Sequence, residues 1–328
     1  MRFALPSIAL VLAACSSGTP STPATDAATR TDAQVTDTPA VTDTPAADAP
    51  GTDAGTADAG STHRCGTDRP DVSSIGGSEG LAIAADGTIY FSQARAVGRM
   101  LPGMDAEPGW VTLPAAASTV WGIALDVPNH TLYVGSPASH AIYSVDLSSD
   151  TPTATVYVAS AGGPNGLTMG PDGALYFSDF SGNQVYRVLN GMKTRVTTSA
   201  ITQANGVAFA ADGSLYVDSY GAGSVIRLVL TDGAETSRST FATGVGSPDG
   251  IAFDATGRVY VSDNAGGRLF RIEADGSGRM TLGTNIRAAA NIEFGAGSLS
   301  CTDIYVSTSG ALFRYEMGDT AGASVPWH

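Results

Sequence analysis

From Ser78 onward, apolar and polar positions alternate in short bursts that return about every 40 residues. Each burst opens on a polar or aromatic residue followed by Gly, runs into a first apolar strand, turns, and enters a second strand built around Tyr. The lead pairs are Glu79-Gly80, Trp121-Gly122, Asn165-Gly166, Asn205-Gly206, Asp249-Gly250 and, more loosely, Ala290-Asn291. Successive leads lie 42, 44, 40, 44 and 41 residues apart. Turns such as Ala85-Asp86-Gly87, Pro171-Asp172-Gly173 and Ala211-Asp212-Gly213 supply hairpin chemistry. The second strands read Ile89-Tyr90-Phe91, Leu132-Tyr133-Val134, Leu175-Tyr176-Phe177, Leu215-Tyr216-Val217, Val259-Tyr260-Val261 and Ile304-Tyr305-Val306. Third strands follow in most copies, as in Gln184 to Val188 and Arg268 to Ile272.

Units of this length with several short strands and no amphipathic helix between them predict an all-β fold of radially arranged sheets. Six units predict a six-bladed β-propeller with four-stranded antiparallel blades. An open β-solenoid has shorter coils and would not repeat a hairpin signal at this interval. Closure of the ring is expected to add the segment just after Cys65 as a strand on the last blade.

The residues before the repeat change the picture of where the protein works. Arg2 is followed by an apolar run from Phe3 to Leu12 and then by Leu12-Ala13-Ala14-Cys15. That order predicts an export signal over residues 1–14, too short to span a bilayer as a helix. The box resembles a bacterial lipoprotein cleavage site, which implies lipidation of Cys15; an ordinary signal peptide cut near Ala14 is the other reading. Residues 15–64 are almost wholly Ser, Thr, Ala, Asp, Pro and Gly and predict a disordered tether. The propeller is then expected over 65–318, with a tail at 319–328. These features place the protein in the bacterial cell envelope, lipid-anchored on its periplasmic or surface face, touching the membrane only through that lipid.

Charge follows the same division. The net charge of −14 owes much to the seven Asp and one Arg between Ser16 and His63, and the folded part carries no run of Lys or Arg. Nucleic-acid binding is therefore excluded, and a small-molecule ligand on a monomeric ring is expected. Two cysteines remain after Cys15, and in an oxidising compartment Cys65 and Cys301 predict a disulfide across the closure. Neither sits in a Cys-x-x-Cys pair, which argues against a zinc knot.

In a propeller the first strand of each blade lines the central channel, so the lead residues converge on one mouth. Around the ring they are Glu79, Trp121, Asn165, Asn205, Asp249 and Ala290. Four are oxygen donors, and hard oxygens suit calcium, magnesium or manganese better than zinc. Asn-Gly and Asp-Gly are also turn pairs, but turn chemistry does not account for Glu79 or for Trp121 in the same slot. Loops after the second strands surround the same mouth and carry His140, Asp179 and Phe180, Asp218 and Tyr220, and Asn264; with the lead residue Trp121, His140, Asp179, Tyr220 and Asn264 are candidate ligand contacts. Gly76-Gly77-Ser78-Glu79-Gly80 fits Gly-x-Ser-x-Gly, yet a strand follows where the nucleophile elbow needs a helix, so the match is fortuitous.

These lead residues, with Pro-Asp-Gly before the fifth blade, resemble the regucalcin/gluconolactonase family of calcium-binding propellers across roughly Gly66 to Met317. Paraoxonase-type lactonases are similar in the same places. The resemblance implies a divalent metal, calcium ahead of zinc, magnesium or manganese, held by Glu79, Asn165, Asn205 and Asp249. It also implies hydrolysis of a lactone or related ester, with Asp249 handling the attacking water. Two departures stand out. Gly163 occupies the position where the family's gluconolactonases carry an Arg for sugar hydroxyls, and His140 stands without the second His that paraoxonases use. A non-catalytic, calcium-stabilised propeller that binds a ligand or protein partner is the alternative, and a metal-independent enzyme of the strictosidine-synthase or lyase type has no supporting residues.

Overall fold

Asp followed by Gly sets up the first hairpin of blades 1, 3 and 4. The Asp86 and Asp212 carboxylates accept the amides of Thr88 and Ser214 at 2.8 and 2.9 Å, while Gly87 and Gly213 take φ of 96° and 79°, where a side chain would be strained. The structure is a computed structural model and describes residues 65–73, 75–76, 79–317 and 321–322. The expected signal segment, Cys15, the tether and the tail from 323 onward lie outside the described residues.

Within them the strands fall into six antiparallel sheets. Blade 1 comprises β1 (Leu81–Ile83), β2 (Ile89–Gln93), β3 (Ala96–Met100) and β4 (Ala106–Thr112). Blade 2 comprises β5 (Ile123–Asp126), β6 (Thr131–Ser136), β7 (Ala141–Asp146) and β8 (Ala154–Val158). Blade 3 runs through β9 (Pro164–Met169), β10 (Leu175–Asp179), β11 (Gln184–Leu189) and β12 (Met192–Arg195). Blade 4 runs through β13 (Ala204–Phe209), β14 (Leu215–Ser219), β15 (Ser224–Thr231) and β16 (Ala234–Thr243). Blade 5 contains β17 (Pro248–Phe253), β18 (Val259–Asp263), β19 (Arg268–Ile272) and β20 (Met280–Thr284). Blade 6 contains β21 (Ala289–Phe294), β22 (Asp303–Thr308) and β23 (Leu312–Glu316). The helical content among the described residues is one 3-10 turn at Tyr220–Ala222.

The expected six-bladed propeller is thus the fold. First strands touch one another in the cyclic order β1, β5, β9, β13, β17, β21 and back to β1, which makes them the inner wall of a closed ring. The core lies between blades: Ala82 of blade 1 packs with Ile123 and Leu132 of blade 2, and Ala252 of blade 5 with Ile292 and Val306 of blade 6. Apolar faces of neighbouring sheets seal each other, as stacked sheets must.

Closure differs in detail from the expectation. Cys65 and Cys301 form the disulfide, with Cα atoms 5.3 Å apart. The segment after Cys65 does reach the last blade, but Gly66 and Asp68 make parallel bridges to Ser300 and Leu299, in the connection between β21 and β22. It adds no fourth strand to blade 6, whose sheet has three strands among the described residues. Parallel pairing there puts Arg69 Nε 2.9 Å from the buried Asp303 carboxylate and seats Val72 and Ile75 against Leu81, Phe91 and Tyr305. An ion pair and an apolar plug thus fasten the seam between blades 6 and 1.

Candidate metal centre

Why glycine follows every lead residue but one is visible at the inner wall. A Cβ on Gly80, Gly122, Gly166, Gly206 or Gly250 would fall 1.8 to 2.5 Å from the carbonyl oxygen of the next blade's lead residue. None of these glycines takes a left-handed φ, so they are there for close approach and not for a turn. Asn291 replaces glycine in blade 6 and spans the last seam with its side chain, Nδ2 donating to Leu81 O at 2.8 Å. Six blades are drawn together at this level, and their lead side chains are gathered with them.

Glu79, Trp121, Asn165 and Asp249 line one enclosed space of about 20 Å³, with Gly206 and Asn291 beside them. That is room for one ion or one water. Asn165, Asn205 and Asp249 are buried and Glu79 is half-buried. The Asn165 amide donates to the Glu79 carboxylate, and the Asn205 amide donates to Asp249. Each carboxylate is therefore steadied by an amide from another blade. The Asn205 carbonyl oxygen is left buried without a partner, a costly condition unless something else satisfies it.

The electrostatics point the same way. Burial, and then the nearby Asp249 charge, push the Glu79 carboxyl well above the usual range, with the Asn165 hydrogen bond only partly offsetting them. Burial likewise pushes Asp249 up to about 7 against the pull of Asn205. Two carboxylates without a cationic neighbour favour a proton or a cation between them. Among the described residues no three His, Cys, Asp or Glu side chains stand close enough to ligate an ion alone. Two carboxylates and two amide oxygens are instead an all-oxygen set of the kind hard divalent cations take.

The mouth residues divide. Trp121 lines the cavity, and its ring begins an edge-to-face chain that continues through Phe180 at 5.9 Å to Tyr220 at 5.7 Å. All three are half-buried. His140 is exposed, and its Nδ1 sits 2.8 Å from Gly162 O, which ties the ring to the connection between β8 and β9. Asp179 accepts the amides of Gly163 and Gly182 at 2.8 and 2.9 Å and so caps a loop. Asn264 is half-buried, its amide donating to Ser247 O at 3.0 Å. A larger groove of about 600 Å³ lies on the outer strands between Thr240 and Arg279 and contains no carboxylate.

The residue that sequence reading underrated is Asp218 at the end of β14. Its side chain is completely buried, neither oxygen has a partner, and burial followed by the Asp249 charge pushes its carboxyl well up. The available signal was positional: the same place in four other blades holds Ser92, Ser178, Ser262 or Ser307.

Comparison with known proteins bears on this arrangement. The family model described as SMP-30/Gluconolactonase/LRE-like region matches residues 78–310. A search of curated proteins by sequence gives no match. Among solved structures, a gluconolactonase from Xanthomonas campestris is 22% identical with a TM-score of 0.62, over 77% of this chain and 88% of that one. A calcium-binding protein, regucalcin, from Agrobacterium tumefaciens is 18% identical with a TM-score of 0.61, over 77% and 92%. Virginiamycin B lyase from Staphylococcus aureus is 15% identical with a TM-score of 0.55, over 74% and 85%. At these identities the likeness shows the fold, which hosts hydrolase, lyase and binding proteins alike.

Proposed function

The chain belongs to the SMP-30/gluconolactonase/LRE-like family, and from that premise we propose that it is a divalent-cation-dependent hydrolase of lactones or related esters. The observation that carries the reading is the convergence of Glu79, Asn165 and Asp249, from three blades, on an ion-sized space, with Asn205 of a fourth blade hydrogen-bonded to Asp249 and its buried amide oxygen without a protein partner. Those four side chains would hold the ion, with calcium the best match to their oxygens. A divalent cation bound there supplies a Lewis acid that polarises an ester carbonyl.

The chain's own groups supply the rest. We assign Asp249 to orient the attacking water and accept its proton, as the family resemblance implies. The space at the ligands is too small for an ester, so substrate lies above it, against Trp121, Phe180 and Tyr220. That aromatic arc occupies the side of blades 2 to 4 and offers its faces to an apolar arm of the substrate. Gly163 brings no cation for sugar hydroxyls, which favours lactones less polar than gluconolactone.

Export and lipid anchoring through Cys15 complete the proposal. The Cys65–Cys301 disulfide supports an oxidising compartment. The smallness of the cavity also favours one other reading, in which the ion only braces the ring and the mouth binds a ligand without turnover.

Metal analysis of the purified full chain should find one divalent ion per chain, and Glu79→Gln combined with Asp249→Asn should abolish its retention. Unchanged metal content in that variant would remove the site. A pH-stat screen over aliphatic, aromatic and sugar lactones should then detect turnover that stops with chelator; retained metal without turnover would favour the bracing ion.

A further inference from the structure

Asp218 breaks the rule that its neighbours in the repeat obey. At the same place Ser92, Ser178 and Ser262 accept the amides of their own lead glycines, Gly80, Gly166 and Gly250, at 2.7, 2.9 and 2.8 Å. Ser307 donates to the carbonyl of Glu79 across the closing seam. Blade 2 has Gly135 there. In blade 4 the position holds a carboxyl that is completely shielded from solvent and makes no such bond with either oxygen. A buried carboxyl left unpaired is costly, so a chain that could use serine has a reason to be found.

Placement supplies the reason. A Cβ on Gly206 would lie 2.4 Å from Asp249 O and 2.6 Å from Asp218 Oδ2, so only that glycine's backbone separates Asp218 from the lead residues. The Asp218 and Asp249 charges repel one another. No Lys, Arg or His lines the cavity beside Gly206 and Asp249. Asp218 does not join Glu79 and Asp249 as a ligating trio among the described residues, so its action is through space.

We propose that Asp218 is an outer carboxylate of the cation site, charging it from behind Asn205 and Asp249 without ligating the ion. The proposal rests on reading the four lead residues as a cation site. Glu79 and Asp249 together balance a divalent ion; Asp218 leaves the loaded site one charge negative and raises affinity in proportion to the ion's own charge. Its serine counterparts hold lead glycines in place, whereas Asp218 is a positioning charge.

The test uses the full chain, apo after chelation, titrated with terbium(III) and read by luminescence sensitised through Trp121, with calcium affinity obtained by competition. Asp218→Ser restores the residue that the repeat uses, and Asp218→Asn keeps the size while removing the charge. Both should weaken calcium by about tenfold to a hundredfold, the range seen when groups behind metal ligands are removed. The logarithm of the terbium loss should be about 1.5 times that for calcium, because the ion carries three charges and not two. In chelator, Asp218→Ser should melt no lower than the original chain. Equal affinities for all three proteins would overturn the proposal while saturable terbium binding by the original chain kept the cation site. So would an Asp218→Asn that binds as tightly as the original, or an Asp218→Ser that melts lower in chelator with its affinity intact. Absence of saturable binding by the original chain would instead overturn the reading of the site itself.

Discussion

Removing the Cys65–Cys301 disulfide tests whether the ring is held shut by chain entropy or by its packing. The two cysteines are 236 residues apart, so the bridge ties nearly the whole propeller into one loop. Chain-entropy reasoning for a loop of that length gives about 5 kcal/mol at 25 °C, all of it acting on the unfolded state. The folded ring keeps other fasteners: the Gly66 and Asp68 bridges, the Arg69–Asp303 pair, and Val72 and Ile75 in the seam. A Cys65→Ser, Cys301→Ser variant is therefore expected to fold to the same ring and to melt lower by roughly 10 °C or more, at 2–4 °C per kcal/mol for a domain of this size. Circular dichroism melts with urea titrations provide the assay. The unfolded state of the variant is less constrained and exposes more surface, so its urea m-value should rise. A melting temperature within about 2 °C of the original would refute the loop-entropy argument and assign closure to the packed seam. Loss of the native spectrum altogether would show that the seam cannot hold the ring without its bridge.

Two further predictions concern single side chains. Glu293 stands in β21 where the other blades carry Ala82, Ala124, Thr168, Ala208 or Ala252, and burial pushes its carboxyl up to about 8. An acid whose folded pKa is raised contributes stability that is complete below its unfolded value near 4.5 and is lost as pH climbs through about 8. Glu293→Gln should flatten that decline and gain about 2 kcal/mol at pH 8.5, a discounted figure because the side chain keeps some contact with water; parallel stability curves from pH 5 to 9 would refute it. Phe180→Ala opens the middle of the aromatic arc and should raise KM about tenfold for an aromatic lactone while leaving kcat nearly unchanged, the pattern of lost uniform binding. A matching fall in kcat would place Phe180 at the reacting carbonyl and not at the substrate's apolar arm.

Much of this was legible along the chain because a propeller repeats its instructions. The Tyr-centred second strands and Asp-Gly turns recur in register, and five of the six first strands follow a lead residue and glycine. What one copy leaves ambiguous, the others settle. Closure was less legible: Cys65 and Cys301 announced a bridge, but nothing in Gly66 to Asp71 distinguishes an outer strand from parallel bridges to a connection. His140 and Asp179 were placed near the mouth by position alone, and position does not reveal that each is occupied by backbone groups of the connection ahead of β9, Asp179 also by Gly182. Phe180 and Tyr220 reveal themselves as one surface with Trp121 only when three blades are set side by side.

The lead glycines show why fold and site cannot be separated in this molecule. Each exists because the backbone of one blade presses against the lead carbonyl of the next, and the same contact fixes where the lead side chains meet. The distance between Glu79 and Asp249 is thus set by stacked blades and not by a flexible loop. Oxygens brought together in this way repel one another and gain nothing from apolar packing. A sequence selected for stability alone would relieve that repulsion with serine or alanine, as blade 6 does at Ala290 and blades 1, 3, 5 and 6 do opposite Asp218. Acidic residues are retained at Glu79, just ahead of β1, at Asp249 in β17 and at Asp218 in β14. On the reading proposed for the site, these carboxylates serve a bound cation, and packing by itself would remove them.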